Sequence, residues 1–373
     1  TAPGHEIGMG GRGRLPARPG VPDVPATAPR GPPQHPRMHG VRFAALTTLL
    51  WGARGLGARR GLAMAAAQPS CAAGLIDTHL HVWSDGAAPF GYDGPEPPEE
   101  LRARATVEVL LGAMDETGVR GALIVQPINH KFDHSYVLDA MSRHPGRLKG
   151  MALANPALPL EEAVAFLQQR HEEGFCGVRF NPGLWPEGRR MTDDVGRALY
   201  HSAGEMGMVV GFMCFKGLNL FYDDIVELLE ASPSTTAVVD HWGFPRQDGS
   251  FPDAPDSSWA RLLSLARFPQ VYVKASALFR VSGEEAPYRD LKPRLAELVE
   301  AFGARRIMLG SDFPFVQTLG PGYKEGMSAV PRWVEEDREA TPPSGALAGL
   351  TDDDVRMLVH GTAESVFGEW GAA

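Results

Sequence analysis

Eight short β-rich runs, separated by helix-period segments, constrain this chain more than any other feature. The runs are Ile76–Trp83, Gly121–Gln126, Leu148–Ala154, Gly177–Phe180, Met208–Met213, Thr236–His241, Val271–Ala275 and Arg306–Gly310. Between them lie helical patterns over Ala105–Glu116, Tyr136–Arg143, Leu160–His171, Asp193–Glu205, Asp223–Glu230, Trp259–Ala266 and Lys292–Ala301. A last one, Asp352–Phe367, follows the eighth run. Strands alternating with helices predict parallel β–α units. Eight units over roughly 250 residues or more match a (β/α)8 TIM barrel, with an open doubly wound sheet as runner-up. The expected fold is therefore an α/β barrel over residues 75–373.

Residues 1–74 read differently. Up to residue 76 the chain carries nine arginines and only two acids, Glu6 and Asp23, a charge of +7. The whole-chain charge of −9 then leaves −16 for the body. An acidic body argues against a nucleic-acid partner and against an anionic membrane surface. Residues 1–37 are rich in Gly, Pro and Arg without apolar period, the composition of a disordered leader. From Met38 to Gly74 there is no acid, and the arginines flank an apolar patch, Phe43–Trp51. That pattern reads as an organelle transit peptide, with plastid ranked ahead of mitochondrion. A plain disordered tail, or translated sequence upstream of Met38, is the alternative, and the expected location is then cytoplasmic. Cys71 lies in the leader, and Cys176 and Cys214 sit in apolar runs. Cysteines this sparse build no disulfide framework, which points to a reducing compartment.

The polar residues that break the apolar runs cluster near strand ends, where barrels place their chemistry. His79 and His81 are two apart, so on a strand they share a face, about 6.6 Å apart at the Cα atoms. Asp77 and Trp83 share it on the same alternation, and Trp83 would wall a bound substrate. Arg179 ends the fourth run. His241 ends the sixth in Val238-Val-Asp-His-Trp-Gly243, facing with Val239 and opposite Asp240. Lys274 stands in the apolar run Val271–Ala275 of the seventh, between Val273 and Ala275, a costly place for an unpartnered ammonium. Asp312 follows the eighth, just before Pro314. In a closed barrel the first and eighth strands are neighbours, so His79, His81, His241 and Asp312 converge. Such a set can ligate a divalent metal or activate water.

The segments Leu75-Ile-Asp-Thr-His-Leu-His-Val-Trp83, Val239-Asp-His-Trp-Gly243, Val271-Tyr-Val-Lys-Ala-Ser276 and Met308-Leu-Gly-Ser-Asp-Phe-Pro314 together resemble the amidohydrolase superfamily. They are most similar to its branch of metal-dependent hydrolases that includes 2-pyrone-4,6-dicarboxylate lactonase and sugar lactonases. The resemblance spans roughly residues 75–370, the whole body. It implies a (β/α)8 fold, His79, His81, His241 and Asp312 as the ligand set, and Asp312 as general base toward water. His241 joins Asp312 in the catalytic pair, and Arg179 and Lys274 would orient an anionic small-molecule substrate. One departure stands out. Metal-using members place a histidine after the fifth strand, whereas here it reads Met208-Val-Val-Gly-Phe-Met-Cys-Phe215. Cys214 is the sole soft donor there, and Arg179 stands where a metal-bridging lysine would be. The expectation is at most one divalent ion, zinc or manganese, and the branch also includes members that work without metal. The implied activity is hydrolysis of a lactone or related carboxylated substrate. A metal-dependent non-oxidative decarboxylase is the alternative within the superfamily, and a non-catalytic binding barrel the alternative outside enzymes.

Overall fold

The computed structural model describes residues 74–245, 251 and 254–371. The leader expected over residues 1–74 lies outside them, apart from Gly74. Eight parallel strands form one sheet in sequence order: β1 Leu75–Leu80, β2 Val119–Val125, β3 Leu148–Leu153, β4 Gly177–Phe180, β5 Val209–Phe212, β6 Ala237–Val239, β7 Val271–Ser276 and β8 Ile307–Gly310. The sheet closes between β8 and β1. There Asp312 N–H donates to the His79 carbonyl at 2.8 Å, and His81 N–H to the Phe313 carbonyl at 2.7 Å. Helices follow the strands, as expected from a right-handed β–α repeat. Side chains hold several helix starts: Asp193 accepts from Gly196 N–H, Ser257 from Ala260 N–H, and Thr351 and Asp354 form a reciprocal capping box.

Alternation along the strands sorts the core into two layers. Leu75, Leu80, Ala122, Ile124, Val210, Val239, Val273 and Leu309 face the surrounding helices in one cluster. Ile76, Leu123, Val125, Met151, Val209, Val238 and Met308 fill the barrel interior in another, together with Phe367 and Trp370 from the C-terminal segment. That segment plugs the end of the barrel opposite the site. Lys149 donates to the carbonyls of Phe367 and Gly368 at 2.6 and 3.0 Å, and its ammonium sits over the Trp370 ring. Gly121 is required there, because a Cβ would lie 2.3 Å from Trp370 Cδ1.

Three expectations need correction. First, the parity of β1 is broken. Its pairing with β2 shifts between Asp77 and Leu80, and Ile76 rather than Asp77 joins the interior cluster. Such an irregularity bends a strand and re-aims its side chains. Asp77 does not share the open face with the histidines: it accepts from Ser311 N–H at 2.9 Å and Ser311 Oγ–H at 2.5 Å, and staples the β1–β8 seam. Second, β6 ends at Val239, and the interior face is that of Val238, so Asp240 points inward. His241 enters the site because the chain turns: His241, Trp242 and Phe244 have φ of 50°, 57° and 49°. Third, a 17-residue helix, Tyr323–Glu339, stands between β8 and the last helix and packs against Val107–Thr117. Its apolar positions Tyr323, Met327, Val330 and Val334 carry a helical spacing. The last helix does run over Asp352–Phe367, with π-helical turns at Met357–Gly361.

Candidate active site

At the C-terminal ends of the strands the barrel opens into a cavity of about 230 Å³. His81, Trp83, Arg179, His241, Arg280 and Asp312 line it, with Asn129, Asn181, Met213, Phe215, Phe244 and Phe315 around them. Of the residues singled out from the sequence, Trp83, Arg179, His81, His241 and Asp312 therefore meet at one opening. His79 lies one layer deeper, fully buried. Gly310 makes room for it: a Cβ at that position would fall 2.8 Å from His79 Cβ and 2.9 Å from its backbone nitrogen.

One ligand atom each of His79, His241 and Asp312 lies within 4.8 Å of the others. The imidazoles of His79 and His241 have centroids 4.1 Å apart, and those of His79 and His81 5.3 Å apart. His81 falls outside the tight three-residue group; its Nε2 is 3.6 Å from Asp312 Oδ1. Its Nδ1 is 2.8 Å from the Val125 carbonyl, which can only accept, so Nδ1 carries the hydrogen and Nε2 offers a lone pair. His241 Nδ1 meets Ser276 Oγ at 2.8 Å. Burial holds all three imidazoles neutral, His79 down to about 3 and the other two well below the usual histidine range.

Lys274 does not reach the cavity. It is wholly buried, with Nζ 3.2 Å from Asp240 Oδ1 and 3.2 Å from His79 Nδ1. Asp240 also takes Arg179: Nε lies 3.3 Å from Oδ2, close enough for an ion pair but not aligned as a hydrogen bond. Burial alone would push the Asp240 carboxyl up, but Lys274, His79 and Arg179 together hold it well below the usual range. Strand alternation alone places Asp240 on the outer face and so hides its role, whereas the structure turns it inward. Arg280 was missed altogether. It sits on a single turn, Leu278–Val281, entered through Ala277 at φ 54°, and no strand pattern marks it. Its Nε donates to Asp312 Oδ2 at 2.7 Å, and its guanidinium lies over the Phe315 ring.

Asp312 itself has φ of 60°, a left-handed conformation that a non-glycine residue adopts only under constraint. Burial raises its carboxyl to about 6, against the pull of Arg280 and Arg179. With neutral histidines, Arg179, Lys274 and Arg280 against Asp240 and Asp312 leave one positive charge in excess. At the end of β5, Met213 lines the cavity, while Cys214 is buried, its thiol pushed up by burial. Cys214 belongs to no metal-binding group among the described residues.

The profile of the amidohydrolase family matches residues 76–368. The chain belongs to this family. Within it, a 2-pyrone-4,6-dicarboxylate hydrolase from Comamonas testosteroni is 29% identical over 258 residues, covering 65% of this chain and 77% of that protein. A 4-sulfomuconolactone hydrolase from Hydrogenophaga intermedia is 27% identical over 248 residues, covering 65% and 75%. A solved amidohydrolase from Burkholderia multivorans with zinc bound shares the fold, with a TM-score of 0.61 at 22% identity over 79% of this chain and 99% of its own. It is an amidohydrolase-related, lactonase-like hydrolase.

Proposed function

We propose that this amidohydrolase opens the ring of a small lactone carrying an anionic group, with Asp312 taking the proton of the attacking water. The observation that carries the reading is Asp312 itself: a buried carboxylate raised to about 6, at the end of β8, sharing one cavity with His241 and His81, with His79 grouped beneath them. A base poised near neutral pH combines the right protonation state with driving force for proton transfer. In the step, water oxygen bonds to the acyl carbon and its proton goes to Asp312. The ring C–O bond then breaks, and the proton passes from Asp312 to the departing ring oxygen. Arg179 and Arg280 on the cavity wall hold the carboxylate or sulfonate of the substrate, the charge that the site's positive excess invites. Both relatives named above, a 2-pyrone-4,6-dicarboxylate hydrolase and a 4-sulfomuconolactone hydrolase, are named for substrates that carry such a group. Trp83 and Phe315, with ring centroids 5.9 Å apart, form an apolar wall for the ring.

The donor set also fits a divalent cation. His79 Nε2 is buried without a hydrogen-bond partner among the described residues, and it belongs to the same three-residue group as His241 and Asp312. Two imidazoles and a carboxylate suit zinc or manganese, and His81 stands beside them. Such an ion, when bound, polarises the carbonyl and lowers the pKa of water.

The test is a panel of lactones with and without a carboxylate, assayed with and without chelator, on the native chain and on Asp312→Asn. Ring opening with proton release, faster for the carboxylated members, is expected. Asn accepts no proton, so turnover should drop about 10²- to 10⁴-fold with the fold intact. Near-native turnover in Asp312→Asn, or release of carbon dioxide instead of a proton, would sink the reading.

A further inference from the structure

His79 meets two partners of opposite kind at one nitrogen. Its Nδ1 is 3.1 Å from Asp240 Oδ1, an acceptor, and 3.2 Å from Lys274 Nζ, a donor. Lys274 Nζ is in turn 3.2 Å from the same Oδ1. All three groups are fully buried. A neutral imidazole has one N–H, so Nδ1 can donate to Asp240 or accept from Lys274, but not both. If it donates, Nε2 turns a lone pair toward His241 and Asp312. If it accepts, Nε2 turns an N–H there. Each arrangement makes two hydrogen bonds inside the triangle, Lys274 to Asp240 being common to both. Each also leaves one like-to-like contact at nearly the same distance. The distances alone select neither arrangement. His81 differs, because the Val125 carbonyl is the sole hydrogen-bond partner of its Nδ1 among the described residues and fixes it as the donor.

We propose that Lys274 and Asp240 set the tautomer of His79, so that one site serves either as a set of metal ligands or as a donor to the carbonyl oxygen of the substrate. With the lone pair outward, His79 completes a cation site with His241 and Asp312. With N–H outward, it hydrogen-bonds the oxygen that gains charge as water adds, as an oxyanion-hole donor does. The two states hold the same number of protons and the same charge, and differ only in which ring nitrogen bears the hydrogen. Lys274 touches neither cavity nor substrate and is a positioning residue acting through His79. The inference rests on the lactonase reading for the identity of the oxygen, but the proton placement is measurable without any substrate.

The experiment is a long-range proton–nitrogen NMR spectrum of the full-length protein labelled with ¹⁵N-histidine, with His79 assigned by comparison with His79→Gln. Spectra are taken after chelation and again with Zn²⁺, for the native chain and for Lys274→Met. In the chelated native chain His79 should populate the Nε2–H form, and Zn²⁺ should move the hydrogen to Nδ1. In Lys274→Met, Asp240 is left to receive from Nδ1, so His79 should be Nδ1–H under both conditions. Its Zn²⁺ affinity should rise about 10- to 100-fold, the range in which outer partners tune metal sites. The same His79 tautomer in the chelated native chain and in Lys274→Met would overturn the proposal. Should Lys274→Met fail to fold, the native spectra decide alone, and a tautomer indifferent to Zn²⁺ overturns it. A lactone panel without activity would leave these spectra untouched, so the two readings fail separately.

Discussion

Acid should loosen the cavity wall through His134, a histidine outside the catalytic group. His134 ends the loop that follows β2, and that loop supplies Pro127, Ile128 and Asn129 to the cavity. Its Nε2 accepts the Leu153 N–H of β3 at 2.9 Å, and its Nδ1 donates to the Phe132 carbonyl at 2.9 Å. Both ring nitrogens are thus used, and protonating Nε2 destroys the bond to β3. Burial lowers its pKa from 6.5 to about 4, with Arg170 adding to the effect. The folded pKa lies below the unfolded one, so the unfolded chain takes up the proton first, and stability is lost as pH falls from 6.5 toward 4. At pH 5 the difference costs about 2 kcal/mol, and below pH 4 it levels off near 3 kcal/mol. Asp77 and Asp312, both raised to about 6, work in the opposite direction, because the folded state takes up their protons first. The effect of His134 must therefore be read as a difference. In His134→Gln the amide oxygen can accept the Leu153 N–H and does not titrate. Urea unfolding of both proteins between pH 7 and 5 should show the native chain losing about 2 kcal/mol relative to the variant. Parallel pH profiles for the two would refute the reasoning.

Gly310→Ala should depress turnover at least tenfold while leaving most of the stability, since the added Cβ meets the β1 backbone at His79 and not a flexible side-chain end; unchanged kcat with an unchanged melting temperature would show that β1 and β8 absorb the methyl freely. Metal analysis after gentle purification should give between zero and one divalent ion per chain, and chelation should leave unfolding cooperative; two tightly held ions would require a ligand beyond His79, His81, His241 and Asp312.

The barrel was legible because its evidence is periodic and repeated. Each strand run is short and apolar, each helix has its own spacing, and an error of one or two residues at an end does not change the count of eight. Gly177–Phe180 is even placed to the residue. The helix Tyr323–Glu339 escaped because it adds to a β–α unit that was already complete, and Pro331 within it interrupts the pattern. The candidate site was legible only in part. His79, His81, His241 and Asp312 stand out as polar residues in apolar surroundings. Arg280 does not, because it belongs to one isolated turn after β7.

Asp240 shows where pattern reading gives out in physical terms. Alternation is reliable within a strand, but β6 is three residues long and ends immediately before Asp240. The choice of inner face then depends on which valine fills the barrel, and Val238 and Val239 are indistinguishable by type. The chemistry supplies what the pattern cannot. A lysine buried on β7 between Val273 and Ala275 demands a counter-charge within reach. Asp240 is one strand away, at the height where Val239 pairs with Val273. The need of Lys274 for a counter-charge turns Asp240 inward, and His241 can then join it only through a break in the strand. The left-handed residues His241 and Trp242 are that break. The strain at the end of β6 thus follows from bringing both an aspartate and the next residue in sequence to the same side of one sheet.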